Sequence, residues 1–144
     1  MGMIRFTSVV IAVLLAAGCS KAASDRPASV SDAMVATADK YAAALEKFAS
    51  DLEAAGSDCS KALEAVKASS ELGGALGEDV DTVRAKTSRD PAAKAWFKQA
   101  YEARMKQAFD RVKSAANACE NDKAFMTAIE ADELLPRKRA VKSN

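Results

Sequence analysis

The side chains of this 144-residue chain offer little catalytic chemistry. The absence of histidine removes the commonest general base, the usual zinc and haem ligand, and the base of Ser-His and Cys-His nucleophile systems. The carboxylates fall largely off the apolar helix faces, as solvated side chains do; they include Glu46, Asp51, Glu53, Glu64, Asp79 and Asp81. The sequence therefore predicts a protein that is not an enzyme and has no cofactor.

Three cysteines, Cys19, Cys59 and Cys119, carry the thiol chemistry of the chain. If the first is modified, the other two remain as one pair, and an oxidising compartment favours their disulfide. Such a bond would close a loop of about 60 residues and stabilise the domain by about 4 kcal/mol in the chain-entropy model.

The N-terminal segment distinguishes Cys19 from the other two cysteines. A single positive charge precedes an apolar run over Phe6–Ala17, and Gly18 stands before the cysteine. The run is too short to span a bilayer and is followed by small residues, so it predicts a cleaved secretory signal. The sequence LLAAGC at 14–19 resembles the lipobox of bacterial lipoproteins, in which the cysteine thiol receives a diacylglycerol and becomes the new N-terminus.

The resemblance implies that residues 1–18 are a lipoprotein signal peptide and that Cys19 is the acylated membrane anchor. Ser20, rather than aspartate, follows the cysteine, which in this family implies an outer-membrane location facing the periplasm. An ordinary secretory signal cleaved near Gly18 or Ala23 is the alternative, and it would leave Cys19 unmodified.

The charge balance of the mature chain argues against a nucleic-acid partner. Cleavage before Cys19 removes one basic side chain and leaves 20 basic and 20 acidic residues. A neutral, exported domain has no long-range field that would gather nucleic acid. We therefore expect no nucleic-acid partner.

The mature chain has the composition and periodicity of an all-α protein. Alanine is abundant, strand-favouring residues are scarce, and apolar residues recur at helical spacing. We expect an up-and-down antiparallel bundle of three long helices plus a shorter fourth over residues 30–135. A flexible membrane tether over 19–29 would precede this domain, and a basic disordered tail over 136–144 would follow it.

Local signals place the ends of the four helices. The expected starts are Ser29 or Ser31, then Ser57 or Asp58, then Asp90 with Pro91, and Asn121 or Asp122. Glycines 73, 74 and 77 predict a break in the second helix, and the fourth is expected to include Leu134 and Leu135 and to stop at Pro136. In this topology the first and third turns lie at one end of the bundle, which brings Cys59 and Cys119 together.

An aromatic group near the start of the third helix is the first candidate for binding. Trp96, Phe97 and Tyr101 would line a small apolar pocket, or they would plug the open end of the bundle together with Leu72 and Leu76.

The uneven charge distribution is the second candidate. Residues 46–81 have a net charge of −6, and residues 84–113 have a net charge of +6. The basic third helix would lie between the acidic second and fourth helices, or a face that includes Lys98 and Lys106 would contact an acidic partner. The tail, with Arg137, Lys138, Arg139 and Lys142, would touch anionic lipid or cell-wall polymer, or be disordered.

Soft-metal binding is less favoured by the spacing. Met34, Met105 and Met126, with the cysteines, offer ligands of the kind that hold copper(I). No Met-x-x-Met or Cys-x-x-Cys pair occurs, and methionine at core spacing is typical of packing.

The sequence as a whole predicts a lipoprotein that acts as a non-catalytic binding or interaction module in the cell envelope. The expected partners are the membrane, through the anchor, and an envelope protein or polymer. A carrier of a small apolar ligand or a soft metal is one alternative, and an immunity or inhibitor lipoprotein is another.

Overall fold

The computed structural model describes residues 25–136, and this part of the chain is all α-helical with no strand. The expected signal segment, the anchor Cys19 and the tail from residue 137 lie outside it. The chain forms three long helices and a shorter fourth: α1 is Asp32–Ala55, α2 is Cys59–Ser88, α3 is Pro91–Ala116 and α4 is Lys123–Glu130. A short 3-10 turn over Asn117–Cys119 follows α3. No helix in the described range is long and apolar enough to cross a membrane.

Each helix begins at a side chain that accepts a hydrogen bond from a backbone N–H of the first turn. The capping residues are Ser31, Asp58, Asp90 and Asp122. These caps satisfy donors that have no partner within a helix. Gly56 ends α1 with a φ of 56°, a value that glycine adopts without steric cost.

Helix α2 continues through its three glycines, so the predicted break is wrong. Glycine lowers helix stability by only about 1 kcal/mol relative to alanine, and tertiary contacts outweigh that cost. Gly73 shows the contact: a Cβ atom there would lie 2.8 Å from the Cα of Leu134. The glycine lets the segment after α4 pack directly against the α2 backbone.

Helix α4 ends at Glu130, earlier than the sequence predicts. Leu134 and Leu135 lie in the turn that follows, where both backbone N–H groups donate to the carboxylate of Asp132, at 2.9 and 3.1 Å. This turn buries Leu134 in the core without a further helical turn.

Helix α1 packs against both α2 and α3, and α4 packs against α2, as expected of a helical bundle. The larger core cluster lies toward the end where α1 meets α2 and includes Leu45, Phe48, Leu52, Val66 and Phe125. A smaller cluster at the opposite end contains Val30, Ala38, Ala42, Ala93, Trp96 and Tyr101.

A disulfide joins Cys59 and Cys119, with their Cα atoms 5.6 Å apart. Cys59 begins α2 and Cys119 ends the 3-10 turn after α3. The pairing agrees with the expectation that these two turns share one end of the bundle.

Candidate binding cleft

The aromatic group of α3 is packed against α1, not against Leu72 and Leu76 as one expectation had it. Trp96 is only 9% exposed and belongs to the core cluster that contains Val30 and Ala42. Leu76 packs on the other cluster, and Leu72 is 40% exposed. The two leucines belong to a different part of the bundle, because α2 contacts α3 far less than it contacts α1.

The three rings form one connected aromatic unit. The ring centroids of Trp96 and Phe97 are 5.0 Å apart in an edge-to-face arrangement, and those of Phe97 and Tyr101 are 5.8 Å apart and stacked. Such contacts stabilise a fixed arrangement beyond the area that the rings bury. Phe97 and Tyr101 therefore present a firm surface on the side that faces α2.

That surface is one wall of a cleft of about 280 Å³ between α1, α2 and α3. Val80 and Val83 of α2 form the opposite wall, and Tyr41 of α1 lies between the two. Further lining residues are Thr37, Ala38, Arg84, Thr87, Lys98, Glu102 and Met105. The cleft is thus mainly apolar, with two cations and one carboxylate among its lining groups.

A second, more polar hollow of about 430 Å³ adjoins the cleft and shares Tyr41, Val80 and Arg84 with it. Its other side is the turn after α4, where the carbonyl of Leu134 accepts a 2.8 Å hydrogen bond from the Tyr41 hydroxyl. A tyrosine phenol is neutral at physiological pH and can donate. Burial raises the pKa of Tyr41 further above its ordinary value.

Tyr101 is held in place by α1. Its hydroxyl donates to the carboxylate of Asp39 at 2.9 Å and lies 3.4 Å from the carbonyl of Val35. Burial, together with the hydrogen bond to Asp39, raises the pKa of Tyr101 to about 12. The ring position at the cleft wall is therefore fixed by a polar contact at its far end.

Two arginines of α3 form ion pairs with carboxylates of α1. Arg104 donates two hydrogen bonds to Glu46 at 2.6 and 2.8 Å, and Arg111 donates two to Glu53 at 2.8 and 2.6 Å. The hydrogen bonds from Arg104 lower the pKa of Glu46. Both carboxylates are on α1. The expectation that the basic helix α3 lies between the acidic helices α2 and α4 is therefore wrong, because α3 packs against α1 and forms its ion pairs with that helix.

Lys98 and Lys106 do not share one surface. Lys98 lines the cleft with Phe97 and Tyr101. Lys106 lies at a separate, polar hollow of about 740 Å³ near the disulfide end, and its ammonium group is 2.6 Å from Asp110. The two lysines therefore do not form a single docking face.

No group of three or more cysteine, aspartate or glutamate side chains within residues 25–136 is arranged to hold a metal ion. Met34 is buried in α1, and Met105 packs beside both core clusters. These positions are those of packing residues.

The α2 wall of the cleft is the part of the site that the sequence analysis did not assign. Leu76, Val80, Val83 and Thr87 recur at spacings of three and four, which is the signal of an apolar helix stripe. The partner of that stripe is not encoded locally. Comparison of the chain with protein-family models, curated proteins and solved structures finds no match.

Proposed function

We propose that this protein is a non-catalytic binding module, anchored in the cell envelope through acylated Cys19, whose site is the cleft between α1, α2 and α3. The ligand we infer is a small apolar or amphiphilic molecule. The lipobox-like sequence at 14–19 supports the anchor and the location. The second part of α2, in which no residue after Gly73 is buried, supports the binding role.

The observation that carries the proposal is the burial pattern of α2. After Gly73, no residue of this helix is buried, although the helix continues to Ser88. The apolar stripe of this part, formed by Leu76, Val80 and Val83, is only half-buried. It faces the cleft and the adjoining polar hollow. An apolar helix face normally packs against a core. Here it has an aromatic wall across an open space, which is the arrangement of a ligand site.

The cleft suits a small ligand better than a large one. Ligand pockets commonly have volumes of roughly 300–1,000 Å³, and this cleft, at about 280 Å³, is at the lower limit. Among the charged groups of the lining, Arg84 is paired with Asp81 at 3.5 Å and Glu102 is a carboxylate, whereas Lys98 makes no salt bridge within residues 25–136. A molecule with a short apolar part and an anionic group complements the apolar walls and Lys98.

A docking role for the basic face of α3 has less support. Arg104, Lys106 and Arg111 are already paired with carboxylates of the same chain. An acidic partner would have to replace these contacts, which limits its gain in free energy. In the cleft, Arg84 is paired with Asp81 at 3.5 Å, but Lys98 and the apolar walls make no such internal pair within residues 25–136.

The test uses the full chain and an anionic naphthalene dye whose fluorescence rises in apolar sites. Val83→Asp places a charge on the cleft wall, and Ala85→Asp places the same charge on the exposed side of α2. We expect Val83→Asp to weaken dye binding at least about tenfold, or about 1.4 kcal/mol, because the carboxylate removes apolar contact area from the wall and repels the anionic dye. Ala85→Asp should bind as the unmodified chain does.

Circular dichroism of both variants controls for folding. Dye binding that is equal in the two variants would contradict the cleft as the site. The anchor is tested separately by the intact mass of protein extracted from membranes: an acyl-sized increment on a chain that starts at Cys19 supports it, and an unmodified Cys19 overturns it.

A further inference from the structure

The end of the bundle where α2 turns into α3 carries four exposed cations. Lys86 lies in the last turn of α2, Arg89 caps that helix, and Lys94 and Lys98 lie in the first turns of α3. We call these four residues the basic end. None of them makes an ion pair within residues 25–136.

Few acidic side chains lie near the basic end, and three of them already form hydrogen bonds or ion pairs with other groups. Asp90 accepts hydrogen bonds from the N–H groups of Ala92 and Ala93, and Asp32 is 2.8 Å from Arg26. Asp81 pairs with Arg84 at 3.5 Å. Two acidic groups nearby make no ion pair within residues 25–136: Asp25, at the start of the described chain, and Glu102, one helical turn after Lys98. The cations of the basic end thus keep their charge available to a partner, unlike Arg104 and Arg111.

The chain enters the bundle at the same end. Val30 is buried in the cluster that contains Ala93 and Trp96, at the start of α3. The Ser29 side chain forms a hydrogen bond with the Asp90 carboxylate, which helps to lower the pKa of that group. The segment before α1 is therefore packed beside the α2–α3 turn.

Cys19 precedes Ser29, which lies beside the α2–α3 turn, by ten positions. Ten residues span at most about 35 Å when fully extended. An anchor at Cys19 would therefore hold the basic end close to the bilayer, within reach of its surface charge. Each cation near an anionic surface raises association about fivefold.

We propose that the basic end docks onto the surface of a membrane that contains anionic lipid, so that the cleft-bearing half of the bundle faces the bilayer. The proposal uses the anchor proposed above for its geometry. The partner is the lipid surface itself. Charge complementarity and the short connection to Cys19 favour it over a soluble acidic protein.

The test is a lysine footprint on the full, anchored chain in vesicles. One set contains phosphatidylcholine alone, and the other contains phosphatidylcholine with phosphatidylglycerol. A membrane-impermeant acylating reagent labels exposed lysines, and mass spectrometry locates the label. We expect Lys86, Lys94 and Lys98 to be protected only in the anionic vesicles, and Lys113 and Lys123, near the opposite end, to be labelled equally in both.

A matched pair of variants separates docking from general charge effects. Lys86→Glu with Lys94→Glu alters the basic end, and Lys113→Glu with Lys123→Glu makes the same charge change at the disulfide end. The two pairs have matched positions: Lys86 and Lys113 each lie in the last turn of a helix, and Lys94 and Lys123 each lie near the start of the next helix. The first pair should lower the ratio of docked to undocked protein by about 30-fold or more and expose Lys98. The second should leave Lys98 protected.

Equal labelling of Lys98 in neutral and anionic vesicles would overturn the proposal, as would protection of Lys113 and Lys123 instead. Protection that requires an added anionic envelope polymer would overturn it in favour of that polymer. The intact mass at Cys19 and the dye-binding assay report on the anchor and the cleft independently.

Discussion

Asp132 is a buried carboxylate whose two oxygens have different surroundings. The side chain belongs to a residue that is 1% exposed, and one oxygen accepts from Ser69 and from the N–H groups of Leu134 and Leu135. The other oxygen has no hydrogen-bond partner among the described residues. Burial raises the pKa of this carboxyl group, although its hydrogen bonds act in the opposite direction. Asp132 thus organises the turn after α4 at an electrostatic cost.

Replacing Asp132 separates these two effects. Asp132→Ala should destabilise the protein by about 1–3 kcal/mol, because the buried Leu134 N–H, the half-buried Leu135 N–H and the buried Ser69 hydroxyl lose their acceptor. Asp132→Asn keeps an acceptor and should cost less. Because the folded-state pKa is raised, the carboxyl's contribution is full below its unfolded-state pKa and is lost as pH rises through the folded-state pKa. Urea unfolding across pH should show the original chain weakening relative to Asp132→Asn as pH rises; a constant difference would contradict this.

Tyr101 gives a second prediction at the residue scale, because its pKa of about 12 lies well above the ordinary 10.0. In a Tyr41→Phe background, tyrosinate absorbance of the native protein should therefore appear only near pH 12. Asp39→Asn removes the anion that accepts the hydrogen bond from the phenol, and should lower the pKa of Tyr101 toward the value that burial alone sets. Asp51→Asn, on the same helix but paired with Lys47, is the control. If the tyrosinate absorbance of the folded protein instead appeared near pH 10 and did not change in Asp39→Asn, the hydrogen bond between Tyr101 and Asp39 would be disproved.

The glycines of α2 provide the clearest prediction at the scale of the element. An alanine Cβ at position 73 would overlap the backbone at Leu134, whereas one at position 77 would meet nothing within 4 Å. Gly73→Ala should therefore destabilise the bundle by about 1–3 kcal/mol through overpacking. Gly77→Ala should stabilise it by about 0.5–1 kcal/mol, because alanine favours the helix. Urea unfolding measures both, and equal effects would contradict the close packing at Gly73.

These glycines also show which parts of each element the sequence predicts. Helix starts follow from local signals, because Ser31, Asp58, Asp90 and Asp122 each bond to a backbone group two or three residues later. The continuity of α2 depends instead on a segment about 60 positions away that packs on Gly73. No local pattern carries that contact, and the same is true of the early end of α4.

At the scale of the whole molecule, the two ends of the bundle are packed differently. The disulfide end contains the larger core, with Phe48 and Phe125 fully buried. The opposite end has a smaller cluster of mostly small residues beside the aromatic unit, and α2 there buries nothing after Gly73. Regions with fewer buried contacts open more readily, and binding sites are often drawn from them. The cleft and the basic end therefore both belong to the less tightly packed half.

The proposed binding cleft is only partly predictable from the sequence for the same reason. The aromatic residues of α3 stand out in the sequence, and the structure places Phe97, Tyr101 and Lys98 together at one cleft. The opposite wall, Val80 and Val83, resembles any apolar helix stripe until its partner is known. The pairing of Arg104 and Arg111 with α1 likewise depends on which helices are neighbours.

The disulfide yields a prediction that tests this difference between the two ends. It links positions 60 residues apart, and in the chain-entropy model such a loop contributes about 4 kcal/mol. Cys59→Ala with Cys119→Ala should therefore lower the free energy of unfolding by about that amount, and reduction of the original chain should have a similar effect. Cys19→Ala is the control, because it leaves the pair intact. Because the cleft lies at the other end, the double variant should still bind the naphthalene dye at temperatures where circular dichroism shows it folded. Unchanged stability on reduction would contradict the role of the bond, and loss of dye binding by folded protein would mean that the two ends do not behave independently.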